Sequence, residues 1–506
     1  MCIINETEFP VPDERLVLLN HLLQYLEESA ESFPDKIAFA DENESLTFSK
    51  LKELGQSVGM AIAKRVQGLN LPVAVKTNHR AADIAAFAGA LYAGCFYVPM
   101  DGAAPKEYME SRLDAIHPSM VIEAKTIAEL PRKEPDMAML ESIRGCIISS
   151  DPAYAIFTSG STGLPKAAVI SHSSVINLAE WLSLTFGFSD RTVFAGQCPF
   201  YFDASVKEIY STWKNGCTTR LIPKKLFSFP LKAMSYIQEI GANTLPWSVA
   251  AVKLIANSGV FDRFVPAGIE DVIFGGENMP SKILNIWQKA MPNARFTNVY
   301  GPSEITVDCA YYTVDRNFPD GESIPIGRPC LNVELLLLDE EKNPVADGEP
   351  GEIYVRGAGV GLGYWRDPAR TSEVFTQNPL NGSYRDIVYR TGDIAKYNQY
   401  GELVFLSRAD YQVKHMGSRV ELGEVETAAA GLDGIRLVCC LYDKEKSQIL
   451  LFYEGDARER EITAMLGARL PRYMCPNVVR KVEEMPATPN GKIDRLRLRE
   501  EYSDGL

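Results

Sequence analysis

Short apolar runs bounded by glycine, proline or aspartate alternate with helix-patterned stretches through most of the first 330 residues, and few architectures accept that alternation. Val73-Ala74-Val75-Lys76 reads as a strand, Ala82 to Leu91 as a helix, and Phe96-Tyr97-Val98-Pro99 as the next strand. Such a succession buries its strands between helices and defines an α/β fold of parallel layers. From about 330 to 405 the pattern changes to strands punctuated by glycine turns, as in Val333 to Leu338 and Glu352 to Val355, which predicts a β-rich subdomain. The last hundred or so residues return to mixed α and β and end in a strongly charged tail. A chain of 506 residues exceeds a single ordinary core, so at least two domains are expected.

The ten residues Phe157 to Lys166, FTSGSTGLPK, hold two glycines, four hydroxyls and a lysine. A Walker A loop needs its second glycine where Pro165 stands and a hydroxyl where Ala167 follows the lysine, so that motif is absent. Ala167-Ala168-Val169-Ile170 reads as a strand rather than a phosphate-receiving helix. A small-residue loop between strands still cups an anion, because its backbone N–H groups and hydroxyls converge without side-chain bulk. Taken alone, such a loop is more often an ordinary surface turn.

Charge and composition narrow the function classes. The net charge of -14, from 52 basic and 66 acidic residues, disfavours nonspecific binding to nucleic acid or to an anionic membrane. No apolar run approaches the ~18 residues of a membrane span, and Met1 to Glu6 lacks a basic leader, so a cytoplasmic protein without membrane insertion is expected. Ten cysteines without a CxxC spacing read as reduced thiols, and five scattered histidines offer no zinc site.

Further motifs follow at wide intervals: NVYGPSE (Asn298 to Glu304), YRTGD (Tyr389 to Asp393), SRADYQVKHMGSRVELGEVE (Ser407 to Glu426) and NGKIDR (Asn490 to Arg495). Together with LTFSKL (Leu46 to Leu51) and GCFYVPMD (Gly94 to Asp101), this ordered set resembles the adenylate-forming superfamily. Within it, the chain is similar to the amino-acid adenylation enzymes of nonribosomal peptide synthesis and to D-alanine carrier-protein ligases. The resemblance spans nearly the whole sequence and implies an N-terminal adenylation core over residues 1–409, built of two α/β layered subdomains and the β-rich one. A small mobile α+β lid over residues 410–506 would hinge at Asp410.

The resemblance also implies ATP and Mg2+ as cofactors. Thr158, Ser159, Gly160, Ser161, Thr162, Gly163 and Lys166 would form the phosphate loop, with Glu304 and Thr162 on the metal. Gly275, Gly276 and Glu277 would follow the base edge, Tyr300 would stack on adenine beside Asn298, Gly301 and Ser303, and Asp393 with Arg408 would meet the ribose. Lys492 of NGKIDR would bridge substrate carboxylate and α-phosphate, where positive charge is worth most in the transition state. Rotation of the lid would exchange Lys492 for the QVKHMGSRVELGEVE face, which admits the thiol of a phosphopantetheinyl carrier protein. Ala167 and Ser407 stand where the family commonly has glycine, and a strand position tolerates both unless φ is positive.

Phe202-Asp203-Ala204, of FDASV, resembles the segment whose aspartate pairs with an α-ammonium. A fatty or aryl acid would leave that buried carboxylate unpaired, so Asp203 argues for an amino acid and against an acyl-CoA ligase. The family's remaining pocket positions fall on Lys207, Thr244, Ile273, Gly275, Val299, Val307 and Asp308. Lys207 and Asp308 resemble patterns for glutamate and glutamine, although Thr244 departs from them. The other reading pairs Lys207 with Asp308 around a small substrate, which keeps a D-alanine ligase open. A noncatalytic carrier-binding protein on the same fold would be expected to lack Lys492, Glu304 or Asp393, and all three are present.

Overall fold

The computed structural model describes residues 19–123, 136–158, 165–320, 322–408, 412–486 and 493–503. Two sheets carry the layered α/β part. The larger has nine strands, of which six are parallel: Ile37–Ala40, Thr218–Leu221, Val193–Gly196, Thr244–Ser248, Asp271–Gly275 and Arg295–Tyr300, in that spatial order. Parallel strands of this kind are buried on both faces, which is why they read as nearly continuous apolar runs. The second sheet has six strands, including Pro72–Thr77, Phe96–Asp101, Pro152–Thr158 and Lys166–Ser171. Pro152–Thr158 and Lys166–Ser171 pair antiparallel with Thr158 opposite Lys166, so FTSGSTGLPK is the connection of two adjacent strands, as its composition predicts. Ala167 lies inside the second of them, away from any positive-φ position, and alanine is unstrained there.

The main hydrophobic core fills the space between the two sheets and draws Tyr154 and Ile170 from one, Ile273 and Val299 from the other. Helices Phe48–Ala63 and Ala81–Tyr92 cross tightly beside it. Their contact is possible because a Cβ on Gly89 would come within 2.4 Å of Val58 Cγ1, and one on Gly59 within 2.5 Å of the Tyr92 Cβ. Thr47 caps the first of these helices by accepting from Lys50 N at 3.3 Å, which explains the polar opening of LTFSKL.

The glycine-punctuated region forms a five-stranded antiparallel sheet from Val333–Leu338, Gly351–Gly357, Phe375–Gln377, Ile387–Tyr397 and Leu403–Arg408. Its range agrees with the stretch in which the sequence pattern changes. Beyond it come a hairpin, Gln412–His415 with Ser418–Glu421, and a three-stranded sheet flanked by helices Leu422–Ala430, Glu459–Arg469 and Arg495–Ser503. Cys440, Ile449, Leu451 and Tyr453 pack one face of that sheet in a cluster that reaches Tyr108 of the N-terminal part. Cys439, Leu441, Leu450 and Phe452 pack the opposite face with Ile493. Asp410, the expected hinge, and the 409/410 boundary lie outside the described residues.

Candidate active site

The parallel strands of the large sheet end at one cleft, where open α/β sheets place their ligands. Phe202, Asp203, Ala204, Lys207, Gly275, Gly276, Gly301, Ser303, Val307, Asp308, Asp393 and Arg408 all line a single cavity there. Thr158 borders it at the end of its strand. The chain can turn away at Gly275 only because no side chain is present: a Cβ would sit 2.5 Å from Val299 O.

Helix Ser205–Asn215 begins at the cavity and presents Asp203 just before its first turn and Lys207 within it. Burial pushes the Asp203 carboxyl up, partly countered by the Ser303 hydroxyl and Lys207, while Asp308 and Glu304 add to the rise. Lys207 Nζ lies 3.1 Å from Asp308 Oδ2, with the two side chains 9% and 4% exposed, so the pair is nearly dry. Burial raises Asp308 as well, and Lys207 opposes it. Asp203 thus remains the acidic group at the start of this helix that faces the cavity, and Lys207 and Asp308 lie in contact in the cavity wall. Thr244, Ile273 and Val299 do not line it. They are buried on the strands beneath, with Thr244 Oγ1 donating to Asn243 Oδ1 at 3.2 Å.

At the other end, Tyr300 OH donates to Asp393 Oδ2 at 2.5 Å and Arg408 donates to Asp393 Oδ1 at 2.5 Å. Both oxygens of this carboxylate are therefore oriented toward the cavity wall by fixed donors. Asn298 is committed to Pro325 O at 2.8 Å and acts as a brace for the strand end. Glu277 departs from the expected base-edge role: its carboxylate binds Lys253 at 3.1 Å and the Gly417 N–H at 2.5 Å, and it does not line the cavity.

Glu304 is fully buried in the short turn Ser303–Ile305. Tyr364 OH donates to it at 2.7 Å, and Lys166 Nζ, which donates to Tyr364 OH at 2.9 Å, stands 3.7 Å away. Lys166, Tyr364 and Glu304 form a relay next to the strand end that leads into residues 159–164. Among the described residues no group of three or more His, Cys, Asp or Glu side chains could hold a metal. One buried carboxylate near the strand end at Thr158 fits Mg2+, which takes one or two protein carboxylates and completes its shell with other oxygens and water. Ser159, Gly160, Ser161, Thr162, Gly163 and Lys492 lie outside the described residues.

Tyr108, Arg112 and Tyr473 also line the cavity and were not foreseen from sequence, while Lys414, Gly417 and Glu424 line it from the QVKHMGSRVELGEVE segment. The Lys414 ammonium stands 5.7 Å from the centre of the Tyr300 ring. The face that borders the cavity is therefore the one carrying QVKHMG. No spacing in the sequence links Arg112 with Glu424, which lie 312 positions apart.

Residues 26–365 match the model of the AMP-binding enzyme family. Curated relatives include bacitracin synthase 1 of Bacillus licheniformis, 30% identical over 94% of this chain and 9% of its own length. Surfactin synthase subunit 1 of Bacillus subtilis (strain 168) is 31% identical over 94% of this chain and 14% of its own, and tyrocidine synthase 1 of Brevibacillus parabrevis 27% over 94% and 44%. The chain thus spans less than half the length of these relatives. Among solved structures, holo-PA1221, an NRPS protein containing adenylation and PCP domains, aligns with a TM-score of 0.81 at 25% identity over 95% of this chain and 84% of its own. IdnL1 aligns with a TM-score of 0.77 at 26% identity, over 92% of this chain and 99% of its own. The matched family model, the ordered motifs and the cleft at the strand ends agree, and the chain belongs to the AMP-binding enzyme family, the adenylate-forming superfamily.

Proposed function

We propose that the protein is an ATP- and Mg2+-dependent ligase that activates an amino acid as its aminoacyl-adenylate and passes it to the phosphopantetheine thiol of a carrier protein. The observation that carries this reading is the gathering in one cavity of Asp203, an acid placed to receive an ammonium, with Asp393, Arg408 and the strand end Thr158; the Lys166–Tyr364–Glu304 relay stands outside that lining, where Lys166 pairs with Thr158. In the first step a substrate carboxylate oxygen bonds to the α-phosphorus as the bond to pyrophosphate breaks, without a net proton transfer. The obstacle is repulsion between anions, and preorganised charge removes it. Asp203 anchors the α-ammonium and so aims the carboxylate. Asp393, pinned on both oxygens, accepts from the two vicinal ribose hydroxyls. Lys166 approaches the phosphates, Lys492 is assigned to the reacting carboxylate and α-phosphate, and Glu304 would hold Mg2+, which supplies charge neutralisation of the phosphates. In the second step the thiol loses its proton, sulfur bonds to the acyl carbon and AMP departs. PA1221 is described as carrying adenylation and PCP domains, which supports a carrier protein as partner here.

For the substrate side chain, the Lys207–Asp308 pair supports a polar residue of the glutamine or glutamate type. A primary amide satisfies both partners at once, its carbonyl accepting from Lys207 and its amino group donating to Asp308. A carboxylate gains Lys207 but faces Asp308. The second reading, favoured by the pair's being already closed, is a small substrate such as D-alanine resting above it. ATP–pyrophosphate exchange with each amino acid tests both. Activity with glutamine or glutamate that Lys207→Met abolishes supports the first, and D-alanine activity that survives Lys207→Met supports the second.

A further inference from the structure

Among the described residues the C-terminal lid meets the core on either side of the cavity. At one, the hairpin tip gives its Gly417 N–H to Glu277, which Lys253 steadies. At the other, helix Lys106–Ile116 of the core offers Arg112, whose Nη2 lies 2.9 Å from Glu424 Oε1 at the start of helix Leu422–Ala430. This second contact is dry, with side chains 8% and 7% exposed. The Arg112 guanidinium lies 3.2 Å from the Tyr108 ring centre and 5.6 Å from that of Phe157, the residue before Thr158 at the entry to the phosphate loop. Tyr108 OH in turn lies 3.1 Å from Tyr473 OH, and the Tyr473 ring meets Phe202 edge-on at 5.7 Å, next to Asp203. Glu424 Oε2 is buried without a hydrogen-bond partner among the described residues, so Arg112 is the group that compensates this carboxylate.

An ion pair so buried is costly to break by halves, because the partner left behind stays dehydrated and uncompensated. Its penalty falls only on the lid orientation that buries it. In that orientation Lys414 and Gly417 border the cavity and Ile493, the neighbour of Lys492, packs on the far face of the lid sheet. We propose that Arg112 and Glu424 form an interdomain clasp, with Tyr108 and Tyr473 as its second contact, that holds the lid in the thiol-accepting orientation and must open for adenylation. They are positioning residues, and the assignment rests on the two-step reading above.

The test uses the full chain in five forms: wild type, Arg112→Gln, Glu424→Gln, the charge-swapped pair Arg112→Glu with Glu424→Arg, and Tyr473→Phe, which removes one hydroxyl and perturbs folding least. Two half-reactions are compared: ATP–pyrophosphate exchange, and transfer from preformed aminoacyl-adenylate to free pantetheine. The single charge variants are expected to lower the ratio of transfer to exchange at least tenfold, the swapped pair to recover most of that ratio, and Tyr473→Phe to lower it severalfold. Lid orientation is read without catalysis, from the dipolar distance between non-cysteine spin labels at exposed core Leu184 and exposed lid Leu437. The distribution is expected to be narrow in wild type and broad in Arg112→Gln. An unchanged distribution, or equal loss of both half-reactions in every variant, overturns the clasp. Absence of exchange with any amino acid in wild type overturns the two-step reading instead, and the distance measurement still decides whether the pair holds the lid.

Discussion

Replacing Asp203 with asparagine isolates the recognition of the α-ammonium, because the change preserves shape and removes only charge. In the folded protein burial, Asp308 and Glu304 all oppose ionisation of Asp203, so the carboxylate is kept at a cost to the fold and its removal should not lower stability. The interaction lost is a charge-assisted hydrogen bond to an ammonium in a closed cavity, worth about 1.5–3 kcal/mol. At ~1.4 kcal/mol per decade, kcat/KM for the amino acid should fall by about 10- to 150-fold. The KM for ATP, which the proposed function assigns to Asp393 and Arg408, should move less than twofold. Exchange kinetics with varied amino acid and varied ATP give both numbers, and the des-amino acid of the same side chain provides a control that should lose no activity in the variant. An amino-acid KM within twofold of wild type, or an equal drop for the des-amino analogue, would refute the assigned anchor.

Glu208, one position beyond Lys207, is fully buried with neither oxygen hydrogen-bonded among the described residues, and burial pushes its carboxyl up to about 8 against Lys207. A carboxyl whose folded pKa exceeds its unfolded value of ~4.5 stabilises the fold fully at low pH and progressively less as pH rises through about 8. Glu208→Gln should therefore melt close to wild type near pH 5 and clearly above it near pH 9; parallel melting curves at both pH values would contradict this. Tyr300→Phe removes the hydroxyl that orients Asp393 and should cost about 1 kcal/mol of ATP binding, a rise of about fivefold in KM with the amino-acid KM unchanged. Gly89→Val places methyl groups where the helix Phe48–Ala63 already sits and should lower stability by about 3 kcal/mol or more in denaturant melts, whereas Gly467→Ala, with open space around it and no positive φ, should cost nothing measurable.

How much of this was readable from residues alone depends on whether the cause was local. The strand character of Ala167 to Ile170 and the antiparallel sheet after residue 330 follow from β-branched runs and glycine turns, and both are present as read. The pocket residues Asp203 and Lys207 sit close together around one helix start, so their convergence was also legible. The closed Lys207–Asp308 pair was one of two readings, since sequence does not say how a flexible lysine stem spends its charge. Thr244, Ile273 and Val299 were carried over one by one, but the alternation of a strand says only which face a residue takes, not how deep a cavity reaches. Glu277 was assigned to the base edge by resemblance to the family. Its carboxylate is taken by Gly417, 140 positions away, and no local pattern announces a contact supplied by another part of the chain. The pairing of Arg112 with Glu424 escaped for the same reason.

Amino-acid activation at this cavity stands or falls on amino-acid-dependent ATP–pyrophosphate exchange across the L- and D-amino acids, run with wild type and Lys492→Ala. Strong exchange is expected with one polar amino acid of the glutamine or glutamate type, suppressed in the variant while transfer of preformed aminoacyl-adenylate to a thiol survives. Exchange supported only by acids lacking an amine, or by no acid at all, would contradict it.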